Sequence, residues 1–188
     1  MARPREFDMD TALDGALDIF WRQGYVATNL PDLLMAMGLT RGSFYKAFRD
    51  KLSVYIAALD RYDDQVVSAT VATLAGCDAG SAQACLSVLF SPEADARKGC
   101  FICNAVVELG PANETVAAKA EAMTVRLRNG ILGVLDRFEV GEVGEKRTAT
   151  ADLILHLYFG HKAIGKGGKP REDWSAHLGW ILGQANDA

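Results

Sequence analysis

The side chains with the most specific chemical potential lie between residues 40 and 51, where basic and hydroxyl groups are concentrated. Arg41, Ser43 and Lys46 are spaced so that a short helix would carry them away from its apolar face. Lysine and arginine neutralise DNA phosphates, and side chains near the start of a helix can reach base edges in the major groove. The residue types therefore indicate contact with double-stranded DNA, with Arg41, Ser43 and Lys46 reading or flanking bases.

Three short helices are predicted to position these side chains. Apolar residues repeat at helical spacing over residues 10–23, which indicates a first helix. A second helix is predicted to begin at Thr28 or Asn29, because either side chain can cap its first turn. Gly38 can adopt the left-handed conformation of a tight turn, and Thr40 can cap a third helix. The pattern is that of a helix-turn-helix.

The third helix is predicted to have an aromatic inner face and a polar outer face. At 100° per residue, Phe44 and Phe48 point in nearly the same direction, whereas the basic residues lie on the other side. Gly42 removes a side chain where the helix would press against a sugar-phosphate wall. Lys46 and Arg49 can neutralise phosphates.

The net charge of −4 agrees with this interpretation once the charges are counted by region. Residues 1–51 carry 7 basic and 7 acidic residues, and the remainder carries 13 basic and 17 acidic residues. The acidic excess therefore lies outside the candidate DNA-binding region, and the composition is that of an ordinary globular protein.

Residues 28–51 resemble the N-terminal signature of TetR-type (TetR/AcrR) transcriptional regulators. The matching positions are Thr28, Asp32, Leu33, Gly38, Leu39, Thr40, Gly42, Ser43, Phe44, Tyr45, Phe48 and Lys51. Pro31 and Leu52 depart from the usual pattern at helix starts. The resemblance implies phosphate contacts from Tyr45 and Lys51, with Asp50 as the cap of a fourth helix. The expected DNA-binding set is Thr28, Thr40, Arg41, Gly42, Ser43, Tyr45, Lys46 and Lys51.

The resemblance also implies an all-α fold in two parts. Residues 1–49 would form an N-terminal three-helix bundle with the helix-turn-helix, and residues 50–188 a larger C-terminal helical domain for ligand binding and dimerisation. Helices are predicted at about 50–74, 82–90, 100–109, 113–138, 146–165 and 171–185. The last two are rich in apolar and aromatic residues, which favours pairing across a twofold axis in a homodimer.

The implied function is that of a ligand-responsive transcriptional regulator. We expect a repressor that binds a palindromic operator as a homodimer and is released by a small-molecule effector. No enzymatic activity, metal or cofactor is predicted. No apolar run approaches the roughly 20 residues that cross a bilayer, and no signal-peptide pattern is present, so the expected location is the cytoplasm.

Candidates for the effector pocket are apolar or isolated polar residues on the predicted helices. Residues 98–111 resemble a segment found near the ligand pocket in a subset of these regulators. Pockets between helices are mostly hydrophobic with a few polar groups. The candidate set is Tyr62, Cys103, Asn104, Val107, Met123, Leu127 and His156, and Glu108 is a further polar group on the same helix as Asn104.

The cysteines suggest an alternative function on the same scaffold. Cys100 and Cys103 have CxxC spacing, and the start of a helix together with Lys98 would favour their thiolates. A thiol-based sensor of oxidants or electrophiles is therefore the second hypothesis. Against it, all four cysteines, Cys77 and Cys85 included, can be free, buried apolar residues, and no second CxxC completes a zinc site.

A remote alternative is a nucleotide hydrolase. Gly160, Gly165 and Lys166 fit the spacing of a phosphate-binding loop after an apolar run. Against it, Gly167 occupies the position of the magnesium-binding hydroxyl, and Pro170 follows where a helix should begin.

Overall fold

The computed structural model describes residues 8–91, 95, 98–168 and 174–187. Across these residues the secondary structure consists of α-helices with short 3-10 and π turns, and no β-strand occurs among them. The all-α prediction is thus confirmed. None of the helices in the described ranges is both long and apolar enough to cross a membrane.

Local capping explains where the first three helices begin and end. They are α1 (Met9–Gln23), α2 (Leu30–Met37) and α3 (Arg41–Ala47). The side chain of Asn29 accepts from the backbone N–H of Asp32 at 2.9 Å, and that of Thr40 accepts from Ser43 N–H at 3.2 Å. Gly38 has φ 65°, the left-handed conformation that glycine adopts without steric cost. The predicted helix-turn-helix geometry is present.

The fourth predicted helix is interrupted. Its first part is α4 (Lys51–Tyr62), capped by a reciprocal pair of hydrogen bonds between Asp50 and Ser53. A π turn at Asp63–Val67 follows, and α5 (Ser68–Gly76) completes the segment. The prediction of one helix over residues 50–74 misses this turn, because one wider turn changes the apolar spacing too little to be visible in the sequence.

Five further helices follow. They are α6 (Ala82–Leu86), α7 (Phe101–Glu108), α8 (Glu114–Arg137), α9 (Glu145–Gly165) and α10 (Ser175–Asp187). The prediction for 82–90 is half wrong, because a 3-10 turn at Ser87–Phe90 replaces its second half. Residues 171–173, the predicted start of the last helix, lie outside the described residues.

The chain divides into two compact units. The first unit contains the described residues up to Asp64 together with Phe101–Ala120, and the second contains Gln65–Cys100 and the chain from Glu121 onward. Helices α4 and α7 thus group with α1–α3. The functional division at residue 50 stays a prediction, since the packing divides the chain elsewhere.

Aromatic side chains form much of the core of the first unit. Tyr55 is fully buried, and its ring makes edge contacts with Phe20 and Phe101 at centroid distances of 5.0 and 5.3 Å. Burial raises the pKa of the Tyr55 phenol above its ordinary value. Tyr62 contacts Trp21 edge-on at 4.9 Å. This core joins α1, α4 and α7.

A disulfide joins Cys77 and Cys85 in the second unit. The prediction that both are free is therefore wrong. The two Cα atoms lie 5.7 Å apart because the chain reverses between α5 and α6, and this reversal is not encoded in the cysteine spacing. Arg137 donates to the carbonyl oxygens of Cys77 and Ala75 at 2.6 and 2.8 Å, and so satisfies the end of α5.

Candidate nucleic-acid interface

The outer face of α3 is polar, basic and accessible. Arg41, Gly42 and Lys46 are exposed, and Tyr45 is 55% exposed. Phe44, on the opposite face, is fully buried. The buried ring fixes the helix to its unit, and the outward side chains are left available to a partner.

The hydroxyl groups at the start of α3 form a local pair. Thr40 donates its hydroxyl proton to Ser43 Oγ at 3.0 Å, while Thr40 Oγ1 caps the helix. Ser43 accepts this bond, so its own hydroxyl proton can be donated to an acceptor outside the helix. The pair orders two side chains that are predicted to approach DNA.

The absence of a side chain at Gly42 is not required by the interior of the protein. The nearest atom that a Cβ placed there would meet in the described structure is Thr40 Oγ1, at 4.0 Å. Glycine also weakens a helix relative to alanine. A close approach of a partner to α3 would explain why glycine occupies this position.

Arg49 and Asp50 lie at the junction of α3 and α4. The Arg49 side chain is 85% exposed and donates to Asp50 at 3.0 Å. The backbone N–H of Ser53 and, next, the Arg49 guanidinium hold the pKa of Asp50 below its ordinary value. Such an exposed ion pair contributes little to stability, so Arg49 can exchange this partner for a phosphate.

Two side chains of the expected DNA-binding set are bound to the backbone of the protein itself. Thr28 is fully buried and donates its hydroxyl to the carbonyl oxygen of Gly24 at 2.7 Å. Lys51 donates to the carbonyl oxygens of Tyr25 and Thr28, both at 2.8 Å. The predicted DNA contact from the Thr28 side chain is corrected, because that side chain is buried and its hydroxyl binds the backbone. The contact predicted for Lys51 stays a prediction.

The predicted pocket residues are divided between the two units. Val107 is 79% exposed and His156 is exposed, so neither forms the wall of an enclosed cavity. Asn104 donates to the carbonyl oxygen of Trp21 at 3.4 Å. The assignments of Val107 and His156 are therefore corrected, whereas that of Asn104 stays a prediction. Tyr62 in the first unit and Met123 and Leu127 in the second are buried, and Cys103 is half-buried.

The cavities that the structure describes in the second unit have other walls. A cavity of about 180 Å³ is lined by Thr70, Tyr158 and Lys162, among others. Grooves of about 340 and 480 Å³ lie between α5 and α8 and between α9 and α10. None of the predicted pocket residues lines any of these three.

The structure also bears on the predicted thiol chemistry and on the predicted phosphate-binding loop. Cys100 and Cys103 are thiols outside any disulfide, but α7 begins at Phe101, and Cys100, just before it, is buried. Gly160 and Gly165 lie within α9, with Lys166 directly after it. A phosphate-binding loop requires an open turn between a strand and a helix, so that alternative is wrong. No group of metal-ligating residues occurs in the described part of the chain.

One contact between distant parts of the chain could not be predicted from the sequence. Glu108 of α7 accepts hydrogen bonds from the backbone N–H groups of Tyr25 and Val26, at 2.5 and 3.1 Å. Its position on a predicted helix indicates only a polar group near a pocket. Its hydrogen-bond partners lie more than 80 positions away in the sequence. The family resemblance of residues 98–111 is the only sequence feature that draws attention to Glu108.

The fold and the α3 surface define a helix-turn-helix DNA-binding protein. The family model of bacterial regulatory proteins of the tetR family matches residues 12–58. Residues 12–58 are therefore similar to the DNA-binding region of tetR-family transcriptional regulators.

Individual relatives extend the comparison. ComR, an HTH-type transcriptional repressor of Escherichia coli, is 36% identical over 121 residues, which cover 61% of this chain and 57% of ComR. This match thus spans less than two thirds of that relative. YezE, an HTH-type transcriptional regulator of Bacillus subtilis, is 27% identical over 164 residues, 84% of each protein. A cysteine mutant of the TetR family regulator CifR, complexed with 26 bp operator DNA, has a TM-score of 0.76 and 26% identity, covering 96% of this chain and 98% of CifR.

Proposed function

We propose that this protein is a repressor that binds a palindromic operator as a homodimer and is released by a small-molecule effector. The observation that carries the proposal is the outer face of α3, which is polar and basic while Phe44 anchors the inner face. The repressor role is supported by the similarity to ComR, and operator binding by that to CifR. Such a protein would act in the cytoplasm.

In this proposal the side chains of α3 divide the contacts with DNA. Arg41 and Ser43 face base edges from the first turn, where a recognition helix reaches deepest. Tyr45 and Lys46 contact or flank the backbone phosphates, and Gly42 with the Thr40 cap lets the helix approach the sugar-phosphate wall. Arg49 adds a phosphate contact after the helix.

The proposed dimer interface is the apolar surface of α9 and α10. Trp180 is 69% exposed and Leu153 is 47% exposed, and both line the groove of about 480 Å³. Apolar exposure of this kind is typical of a surface that another chain covers. Twofold pairing would place two copies of α3 about 34 Å apart, the length of one DNA turn.

The proposed effector site lies in the helical body. The cavity of about 180 Å³ combines apolar walls with a phenol, an ammonium group and hydroxyls, the composition expected of a small-molecule site. Tyr62, Cys103, Asn104, Met123 and Leu127 remain candidates from the sequence alone.

Selection of bound duplexes from a random-sequence pool tests the proposed function. The purified protein should enrich a palindrome whose half-sites are about one helical turn apart. Enrichment of a single asymmetric site would contradict the dimer, and no enrichment over a pool without protein would contradict sequence-specific binding.

A second candidate function, a thiol-based response on the same scaffold, is favoured by the disulfide between Cys77 and Cys85. Disulfides in cytoplasmic proteins are usually transient and redox-sensing. In the balanced step, the two thiols lose two protons and two electrons to form the disulfide. Oxidised glutathione accepts them and becomes two reduced glutathione molecules.

Operator binding across a series of glutathione ratios tests this second candidate. A redox response through this pair should disappear in Cys77→Ser and persist in a variant with serine at both Cys100 and Cys103. If the response instead persists in Cys77→Ser and disappears in the variant with serine at Cys100 and Cys103, it belongs to Cys100 and Cys103. An operator affinity that does not depend on the glutathione ratio would reject both pairs.

A further inference from the structure

The connection between α1 and α2, residues 24–29, is held by side chains from two other helices. Its backbone does not belong to a helix, so its polar groups need other partners. Glu108 of α7 accepts from the N–H groups of Tyr25 and Val26. Lys51 of α4 donates to the carbonyl oxygens of Tyr25 and Thr28. An acidic and a basic side chain thus bind the donors and the acceptors of the same short segment.

Glu108 is seated tightly against this connection. A Cβ atom at Gly24 would clash with Glu108 Oε1, and Gly24 has φ 86°, a conformation that side chains disfavour. Hydrogen bonds from backbone N–H groups to an ionised carboxylate are stronger than those between neutral groups. The glycine therefore provides the space in which the carboxylate reaches both N–H donors.

The basic partner completes the arrangement. Lys51 Nζ lies 4.1 Å from the centroid of the Tyr25 ring, in cation–π geometry. Burial lowers the pKa of Lys51, and the negative charge of Glu108 opposes that shift. The opposite charges of Lys51 and Glu108 therefore attract each other across the connection that both side chains bind.

The connection leads directly into the two helices of the helix-turn-helix. The connection ends at Asn29, which caps α2, and the tight turn at Gly38 joins α2 to α3. Displacement of residues 24–29 would therefore displace the start of α2 and, through that turn, α3. The chain enters α7 from Cys100 of the second unit and returns to that unit at Glu121.

We propose that Glu108 is a positioning residue for DNA binding, through which α7 fixes the α1–α2 connection and hence the orientation of α3. A change in the position of α7 would withdraw the carboxylate and release the connection. The inference rests on the proposed function, since it assigns to α7 the control of operator affinity.

Variants of Glu108 test this inference. Glu108→Ala removes Oε2, the single oxygen that accepts both hydrogen bonds, and Glu108→Gln keeps one side-chain oxygen that can still accept. Glu121→Gln, at an exposed glutamate of α8, is the matched control for lost charge. The probe is the duplex that the wild-type protein selects from the random pool.

Operator affinity should fall at least tenfold in Glu108→Ala and by less in Glu108→Gln, with Glu121→Gln unchanged. Hydrogen exchange at the amides of Tyr25 and Val26 should accelerate in Glu108→Ala while the amides in the middle of α8 keep their protection. That local readout separates positioning from general loss of stability.

Wild-type affinity in a folded Glu108→Ala protein would overturn the inference. If that variant does not fold, wild-type affinity and amide exchange in Glu108→Gln, together with wild-type affinity in Gly24→Ala, would overturn it. Failure of the wild-type protein to select any duplex contradicts the proposed function instead, and the exchange measurement still tests the contact itself.

Discussion

At the scale of single residues, the basic side chains near the helix-turn-helix divide into two groups. Lys46 and Arg41 are exposed on α3, whereas Lys51 is half-buried and bound to two carbonyl oxygens. The first group is available to DNA, and the second stabilises the segment that precedes α2. Residue type alone does not separate them, because both groups are positively charged.

Replacement of Gly42 by alanine should separate folding from DNA binding. A Cβ atom there would meet only Thr40 Oγ1, at an ordinary contact distance of 4.0 Å, and alanine favours a helix by up to about 1 kcal/mol, so thermal stability should be unchanged or higher. Operator affinity should fall roughly tenfold, about 1.4 kcal/mol, because the added methyl group obstructs the approach of DNA. Thermal melting and fluorescence anisotropy measure the two effects.

Gly133→Ala is the matched control for the Gly42 prediction. Gly133 lies in α8, and a Cβ atom added there would meet no atom of the described structure within 4 Å. Its replacement should leave operator affinity unchanged. Equal affinity of the Gly42→Ala protein and the wild type would show that DNA does not approach this glycine.

The Asp50 cap should make stability depend on pH in acid. The pKa of Asp50 is lowered in the folded state, chiefly by the N–H of Ser53. Its stabilising contribution is therefore complete above the unfolded pKa of about 4 and is lost as the pH falls through the lower folded pKa.

Asp50→Asn should consequently reduce the loss of unfolding free energy between pH 5 and 2, roughly the window of carboxylate titration. Urea unfolding at a series of pH values measures this. Parallel pH curves for the variant and the wild type would exclude a contribution from Asp50.

At the scale of helices and turns, local signals are readable from sequence and tertiary ones are not. Asn29, Thr40 and Asp50 cap their helices as expected, because a cap depends on residues within one turn. The disulfide and the Glu108 contact depend on chain reversals that sequence spacing does not fix. The same distinction explains why the outer face of α3 could be predicted and the pocket residues could not.

Reduction of the disulfide should destabilise the second unit. Closing a loop of this length lowers the entropy of the unfolded chain, which corresponds to about 2.5 kcal/mol of stability. Unfolding by urea with and without dithiothreitol measures the difference, and Cys77→Ser should not respond to the reductant. Titration of all four cysteines as thiols in the unreduced, denatured protein would contradict the disulfide.

At the scale of the whole molecule, two surfaces carry the proposed function. The α3 surface is polar and basic, as DNA binding requires, and the α9–α10 groove is apolar, as a subunit interface requires. A palindromic operator couples them, because binding of one half-site raises the effective concentration of the second α3 at the other half-site.

Trp180→Glu should convert the protein to a monomer. The Trp180 side chain is mostly exposed, so its replacement leaves the core of the chain intact while placing a charge in the groove. Sedimentation velocity should show the change in mass, and affinity for the palindrome should fall by about 10² or more as the second half-site is lost. Val143→Glu, at another exposed apolar residue, should remain dimeric. A dimeric Trp180→Glu protein would move the interface elsewhere.

The most direct test of the central claim, that α3 contacts operator DNA, is the affinity of Lys46→Ala for the selected duplex over a range of salt concentrations. Lys146→Ala is the matched control, since Lys146 is a partly exposed lysine of α9. We expect weaker binding by Lys46→Ala and a salt slope reduced by about 1, the loss of one phosphate contact, with Lys146→Ala unchanged. Equal affinity and slope for Lys46→Ala and the wild type would contradict the assignment of α3 as the DNA-contacting helix.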